Sequence, residues 1–416
     1  MVSSAMHRRA LVVVIVLALV VTPAVMPFSQ GTADDDMLAD IIAAVDTDAL
    51  YHYDKTIQDV GPHPTGSDEC REVASFIYDE FASYGLNVSY HAWHRNGLSS
   101  RNVVATLPGE TNYTVIMSAH YDSVDDSPGA DDDGSGVSSV LMAARILSSY
   151  SFRHTVTFIC FSGEEQGLYG SGAYARGAYE RDESILAVLQ LDGVGHAVSS
   201  KGGSTIRLCA NDASTWITDA AQRVLDSHGD AVGLSIHRNR NFAGSDHQSF
   251  INYGYEGVFF LEYEFNPHYH SPGDTIEHVN FSYLTRVCRL ASATVASIAD
   301  REISLYTRIV EPERGAIYAG STQVMALDGY RTVVLGRPHV RAEVHGPAVV
   351  ERVVFYLDGE VRGIDEAAPY EHEYSRVALF SHDVRIEVEG TNAADMAQVS
   401  VVMFNLVPGP WLDAAG

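Results

Sequence analysis

Four groups of histidine and carboxylate side chains stand out in the sequence. They are Ser118-Ala119-His120-Tyr121-Asp122, Pro128-Gly129-Ala130-Asp131-Asp132-Asp133-Gly134-Ser135-Gly136, Ser162-Gly163-Glu164-Glu165-Gln166-Gly167, and Asp192 taken with His270. His120 and Asp122 lie two apart on an extended segment, so both point to one side and the carboxylate can orient an imidazole that binds metal. The three acids between glycines also read as a solvated loop capping a helix. Glu164 and Glu165 stand just beyond the apolar run TVTFICF, after Ser162 and Gly163, where adjacent carboxylates are costly to desolvate unless a cation meets them. Each group alone is an ordinary turn or strand end. Together, two histidines and three carboxylates at strand ends form the mixed nitrogen and oxygen set that suits zinc, with a glutamate to spare for proton transfer.

The elements that must position these groups follow from the apolar pattern. Strand-like runs at Asn102 to Thr106, Thr114 to Ala119, His154 to Phe161, Ile185 to Leu191, Thr205 to Cys209 and Gly257 to Glu262 alternate with helical stretches at Ser135 to Leu147, Ala213 to Asp226 and Phe281 to Ile303. This pattern predicts an α/β fold, a three-layer αβα sandwich on a mostly parallel mixed sheet, with the acidic clusters along the sheet edge where such folds bind ligands. After Tyr306 the texture changes to short β-rich runs, predicting a separate all-β sandwich over 307–416 in which Asp358-Gly359 turns a hairpin. The domain expectation is therefore 1–33, 34–306 and 307–416.

Residues 1–33 carry Arg8 and Arg9, no acid, and twelve uninterrupted apolar residues from Ala10 to Val21. This reads as a signal peptide or an uncleaved N-terminal anchor, which places the protein outside the cell, secreted or tethered to the membrane. The whole chain of 416 residues is 46% hydrophobic, enough for real cores and unlike a disordered polymer. With 27 basic and 54 acidic residues its net charge is −27, and a polyanion repels phosphate backbones, so nucleic acid is excluded as a partner. The acid excess is −22 over residues 34–306 and −7 over 307–416, concentrated where the chemistry lies. Cys70, Cys160, Cys209 and Cys288 form no CxxC and offer no cysteine zinc site. In an exported protein they can pair in three ways, and as buried small hydrophobes they need not pair at all.

The segments SAHYDS, PGADDDGSG, GEEQGLYGS, LQLDGVG, SDHQSF and YHSPGDT, in that order, resemble those of the exported di-zinc aminopeptidases, whose clan also holds glutamate carboxypeptidases, glutaminyl cyclases and the transferrin-receptor ectodomain. NVVATLPG and DVGPHPTGS extend the resemblance over about residues 50–300. It implies two zinc ions per chain, one held by His120, Asp132 and Asp192 and the other by Asp132, Glu165 and His270, with Asp132 bridging. It also implies Glu164 as general base, Asp122 as the carboxylate orienting His120, Tyr269 as a candidate oxyanion donor, and an often cis peptide bond between Asp132 and Asp133. Asp246 and His247 fall in a matched segment near the pocket, whereas His63, His237 and His268 match no ligand position and read as loop or surface histidines. Gly193 stands where many relatives have methionine. The implied activity is removal of N-terminal residues from peptides. A carboxypeptidase or a glutaminyl cyclase of the same clan is the alternative, and a metal-free binding module is the alternative of another class. The C-terminal run VVERVVFYLDGE with APYEHEY and VRIEVEG resembles bacterial immunoglobulin-like modules, implying a spacer or a surface or protein contact without catalytic groups.

Overall fold

A computed structural model describes residues 35–375 and 377–406. The expected signal or anchor segment lies outside the described residues. Three helices, α1 (Asp35–Ala43), α2 (Thr47–Asp59) and α3 (Asp68–Ser83), precede a hairpin of β1 (Asn87–Arg95) and β2 (Leu98–Leu107). Then come β3 (Tyr113–His120), α4 (Gly136–Leu147), β4 (Thr155–Phe161), α5 (Tyr169–Glu180), β5 (Ser184–Leu191), β6 (Thr205–Ala210), α6 (Thr215–Val232), β7 (Ser235–Arg240), α7 (His247–Asn252), β8 (Gly257–Glu262) and α8 (Phe281–Ala299). The eight strands form one sheet in the order β1-β2-β4-β3-β5-β8-β6-β7. Its centre, β4, β3, β5 and β8, is parallel, while β2 and β6 run antiparallel to their inner neighbours.

Alternation along β3 divides the core. Val115, Met117 and Ala119 join the large apolar layer beneath α4 and α8, while Ile116 joins Ile159, Phe161 and Val188 in a smaller layer under α5 and α7. That is the period of two expected of a sheet covered on both faces. Because the four central strands share one direction, their C-terminal ends come together on one edge, and all four acidic groups start there.

A β unit follows, with β9 (Tyr306–Glu311), β10 (Ala316–Ala319), β11 (Thr322–Ala326), β12 (Val333–Leu335), β13 (His339–His345), β14 (Val350–Leu357), β15 (Glu360–Asp365), β16 (Tyr370–Glu373), β17 (Ala378–Gly390) and β18 (Ala393–Asn405). A seven-stranded sheet, β11-β10-β12-β18-β17-β14-β15, and a three-stranded one, β16-β13-β9, share a core of Ile309, Val340, Phe355, Val384, Ile386 and Val401. Asp358 and Gly359 both take positive φ, 53° and 78°, between β14 and β15, the geometry a two-residue hairpin demands. All four cysteines are free and buried, so the described chain is held by its cores and not by disulfides. Among the described residues no helix is long and apolar enough to cross a membrane.

Candidate metal centre

His120 is the last residue of β3 and is fully buried. Its Nε2 lies 3.1 Å from Asp132 Oδ1 and 3.6 Å from Asp192 Oδ1. On the other side of the ring, Nδ1 faces the main-chain oxygen of Asp122 at 3.0 Å, while the Asp122 carboxylate stands 3.8 Å away. The residue expected to orient the imidazole thus does so chiefly through its carbonyl. Its carboxylate serves the next loop instead, accepting from the Glu164 and Glu165 amides at 3.2 and 3.4 Å and from Thr65 Oγ1 at 2.9 Å.

Asp132 sits in a tight turn over Ala130–Ser135, and its peptide bond to Asp133 is cis, as the resemblance implied. Asp274 receives the Asp131 and Asp132 amides at 3.0 and 3.1 Å. Asp133 points inward and accepts from the amides of His120, Gly136 and Gly193 at 3.1, 2.9 and 3.3 Å, tying the turn to β3 and β5. Gly136 is obligatory here, since a Cβ would stand 2.4 Å from the Asp133 carboxylate and 2.5 Å from the Leu191 carbonyl. Asp131 fastens the turn from below, accepting from Gly195 N and Asn266 Nδ2, each at 2.8 Å.

His270 closes the site from the opposite side. Its Nε2 lies 3.1 Å from Asp132 Oδ2 and 3.0 Å from Glu165 Oε2. Three sets of potential ligand atoms result, each within 4.8 Å of one another: His120, Asp132 and Asp192; Asp132, Glu165 and His270; and His120, Glu164 and Glu165. The first two share Asp132, which turns one oxygen to each. Asp132 Oδ2 is buried without a hydrogen bond, although His270 Nε2 is close. A buried carboxylate oxygen left unsatisfied beside an imidazole nitrogen fits a cation, and the donor set suits zinc. Ser245 Oγ donates to Asp192 Oδ2 at 2.5 Å and sets the rotation of that carboxylate.

The electrostatics follow from burial of so many like charges. Burial, reinforced by Asp192, Asp246 and Glu165, raises the Glu164 carboxyl well above its ordinary range, against the pull of His120. Burial and Asp132 push Glu165 up to about 8. Burial opposes ionisation of Asp132 too, but the adjacent imidazoles of His120 and His270 hold it below the usual carboxylate range. Tyr269 stacks on the His270 ring at 3.7 Å, and burial together with the surrounding carboxylates drives its hydroxyl upward, so it stays a proton-bearing donor.

Asp246, placed only loosely by sequence, is fully buried, and both its oxygens lack a hydrogen-bond partner among the described residues. His247 stacks on Phe259 at 5.2 Å. His63 is a loop residue but not a surface one. Only 2% exposed, it pairs its amide and carbonyl with Ser123 and so pins the Gly61–Thr65 segment beside the site. His237 packs on Tyr263 and His268 stacks on His278, and neither joins a ligand set. Thr65, Asp131, Ser245, Asn266 and Asp274 carry the supporting contacts. All but Asn266 fall inside the motif segments, yet their roles depend on partners far away in sequence.

Residues 102–295 match the profile described as Peptidase family M28. "Leucine aminopeptidase 1" of Coccidioides posadasii is 31% identical over 232 residues, which are 51% of this chain and 58% of that protein. The chain thus spans less than three fifths of the length of this curated relative. Among solved structures, the zinc aminopeptidase BSAP of Bacillus subtilis superposes with TM-score 0.56 at 18% identity, over 62% of this chain and 96% of that one. A Bacteroides thetaiotaomicron glutaminyl cyclase superposes with TM-score 0.53 at 18% identity, over 61% and 98%. Motif order, ligand geometry and fold converge on the same stretch, residues 102–295, over which this chain is similar to peptidase family M28.

Proposed function

We propose that this protein is an exported, zinc-dependent aminopeptidase that binds two zinc ions and releases N-terminal residues from peptides. The observation that carries the reading is Asp132, whose two oxygens serve two separate histidine-bearing sets. His120, Asp132 and Asp192 hold one ion, and Asp132, Glu165 and His270 the other. Zinc bound there supplies positive charge that acidifies water and polarises the substrate carbonyl. The remaining work falls to the side chains. Glu164, half-buried and with its carboxyl held well above its ordinary range, takes the proton of the attacking water and returns it to the departing amine. Asp122 holds the Glu164 and Glu165 amides, so the base cannot swing away. Tyr269 donates to the oxygen that gains charge at the scissile carbonyl. The excess of carboxylates over cations along this edge attracts a terminal ammonium and repels a terminal carboxylate, which favours the amino end of a peptide.

Export rests on the apolar segment within residues 1–33, acting as signal or membrane tether. The β unit has the two-sheet core of an immunoglobulin-like module and is free to contact a surface or a protein. The deciding experiment incubates zinc-loaded and chelator-stripped protein with peptides bearing free or blocked termini and reads products by mass spectrometry. Loss of N-terminal residues from free-amine peptides alone, abolished by chelation and restored by zinc, is expected. Trimming from the carboxyl end, or cyclisation of N-terminal glutamine without cleavage, overturns the reading.

A further inference from the structure

Two helices begin at the catalytic edge. α5 starts directly after the Glu164–Glu165 loop, and α7 directly after Ser245 and Asp246, with Ser171 and Ser249 joining the two at 2.9 Å. Both helices end against the β unit, on one residue, which meets α7 with its side chain and α5 with its main-chain amide. Arg314 Nε donates to the carbonyl of Asn252, the last residue of α7, at 3.0 Å, and Nη2 to the Ser400 carbonyl on β18 at 2.8 Å. The Arg314 amide donates to Tyr179 Oη, near the end of α5, at 3.1 Å. Tyr179 also packs on Tyr253, and Tyr253 on Tyr330 of the β unit.

The chemistry of Arg314 is unusual for a glue residue. It is 7% exposed, its Nη1 has no hydrogen bond, and among the described residues no carboxylate pairs with it. An unpaired buried guanidinium is destabilising, and apolar residues would join two surfaces at lower cost. What the guanidinium provides is direction, because it satisfies an orphan carbonyl at the end of α7 and holds that carbonyl against β18. A six-residue helix is about 9 Å long, so fixing its far end fixes Ser245 and Asp246 at the near one.

We infer that Arg314 is a positioning residue of the catalytic site, through which the β unit sets α5 and α7 and thereby Glu164, Asp192 and Asp246. This rests on the aminopeptidase reading and departs from an appended spacer, since the β unit becomes part of the machinery without touching substrate.

The test uses full-length, zinc-loaded protein. Arg314→Met is expected to melt cooperatively and retain zinc while kcat on an N-terminal leucine anilide falls by about 10- to 10²-fold, the scale of a small misplacement. KM should change little, and amide exchange should rise in α7 with β17 and β18 still protected. Arg314→Lys, which keeps a donor, should recover part of the rate. Unchanged kcat with loosened β18 reduces Arg314 to interface glue and overturns the proposal. If Arg314→Met fails to fold, Tyr179→Phe removes only the α5 contact. A smaller loss of kcat supports the clamp, and a normal rate overturns it. Should the native protein cleave no peptide, the aminopeptidase reading falls, and exchange in α7 of Arg314→Met still decides the clamp: increased there it stands, unchanged it falls.

Discussion

The body and the β unit treat charge in opposite ways. At the edge of the body that carries the candidate metal centre, Asp54, Asp131, Asp132, Asp133, Asp246 and Asp274 are all buried, with His120 and Asp192 among them. In the β unit the ion pairs ride on the outside, as with Arg352 and Glu389 at 2.7 Å and Arg337 and Glu373 at 3.1 Å, and the interior is apolar. Buried carboxylates are costly without a compensating cation, whereas exposed pairs contribute little either way. The body therefore sacrifices stability for a site, and the β unit is built for stability. The two meet at Arg314, the buried charge that the β unit sends into the body's territory.

That contrast can be broken at several points. The largest expected effect is Glu164→Ala, which should lower turnover by about 10²- to 10⁴-fold, the usual worth of a positioned acid or base, while zinc content by atomic absorption stays normal. His270→Ala, by contrast, should lose metal and activity together, and a variant that keeps its full complement of zinc removes His270 from the ligand set. Phe355→Ala, at the centre of the β-unit core, should destabilise that unit by about 3–5 kcal/mol, read by denaturant melts. Through the Arg314 clamp it should lower kcat as well, so full activity from a protein whose β unit has melted would separate the two regions.

A smaller effect is tied to pH. Asp395 of β18 packs toward Glu256 and Arg301 of the body, and burial raises its carboxyl to about 7, with Thr307 and Arg301 opposing. The folded state thus holds this proton more tightly than the unfolded chain. Its contribution is full below about pH 4 and is lost as pH rises through about 7, with a slope of at most about 1.4 kcal/mol per pH unit. Melts between pH 4 and 8 should show this decline, and Asp395→Asn should flatten it. The smallest effect is Arg352→Met, expected to shift stability by no more than about 1 kcal/mol. A larger loss would show that the outer pairs of the β unit matter more than its core.

The candidate site residues were legible because the acidic groups lie beyond apolar runs that form the central strands. β3, β4, β5 and β8 all stand where the pattern placed them. The elements it left unread have local reasons. α5, YGSGAYARGAYE, carries glycines that blur a helical pattern, α7 is too short to show one, and β7 is an exposed edge strand without an apolar face. The β1–β2 hairpin did carry a signal, the Asn96-Gly97 turn with both φ positive. The supporting contacts were closed to sequence for a different reason. Asp274 meets the Asp131 and Asp132 amides across 143 and 142 positions of chain, and Arg314 is one arginine among many until the fold sets it against α7.

The order of strands in the body also divides the candidate metal centre between near and distant stretches of chain. His120, Asp132 and Asp192 come into range once β3 pairs with β4 and β5, using chain that ends near residue 192. The set containing His270 exists only after β8 has joined β5 and the chain beyond it has folded back over Asp132. One set of the candidate centre is therefore drawn from chain up to residue 192, while the other depends on a segment more than seventy positions further on.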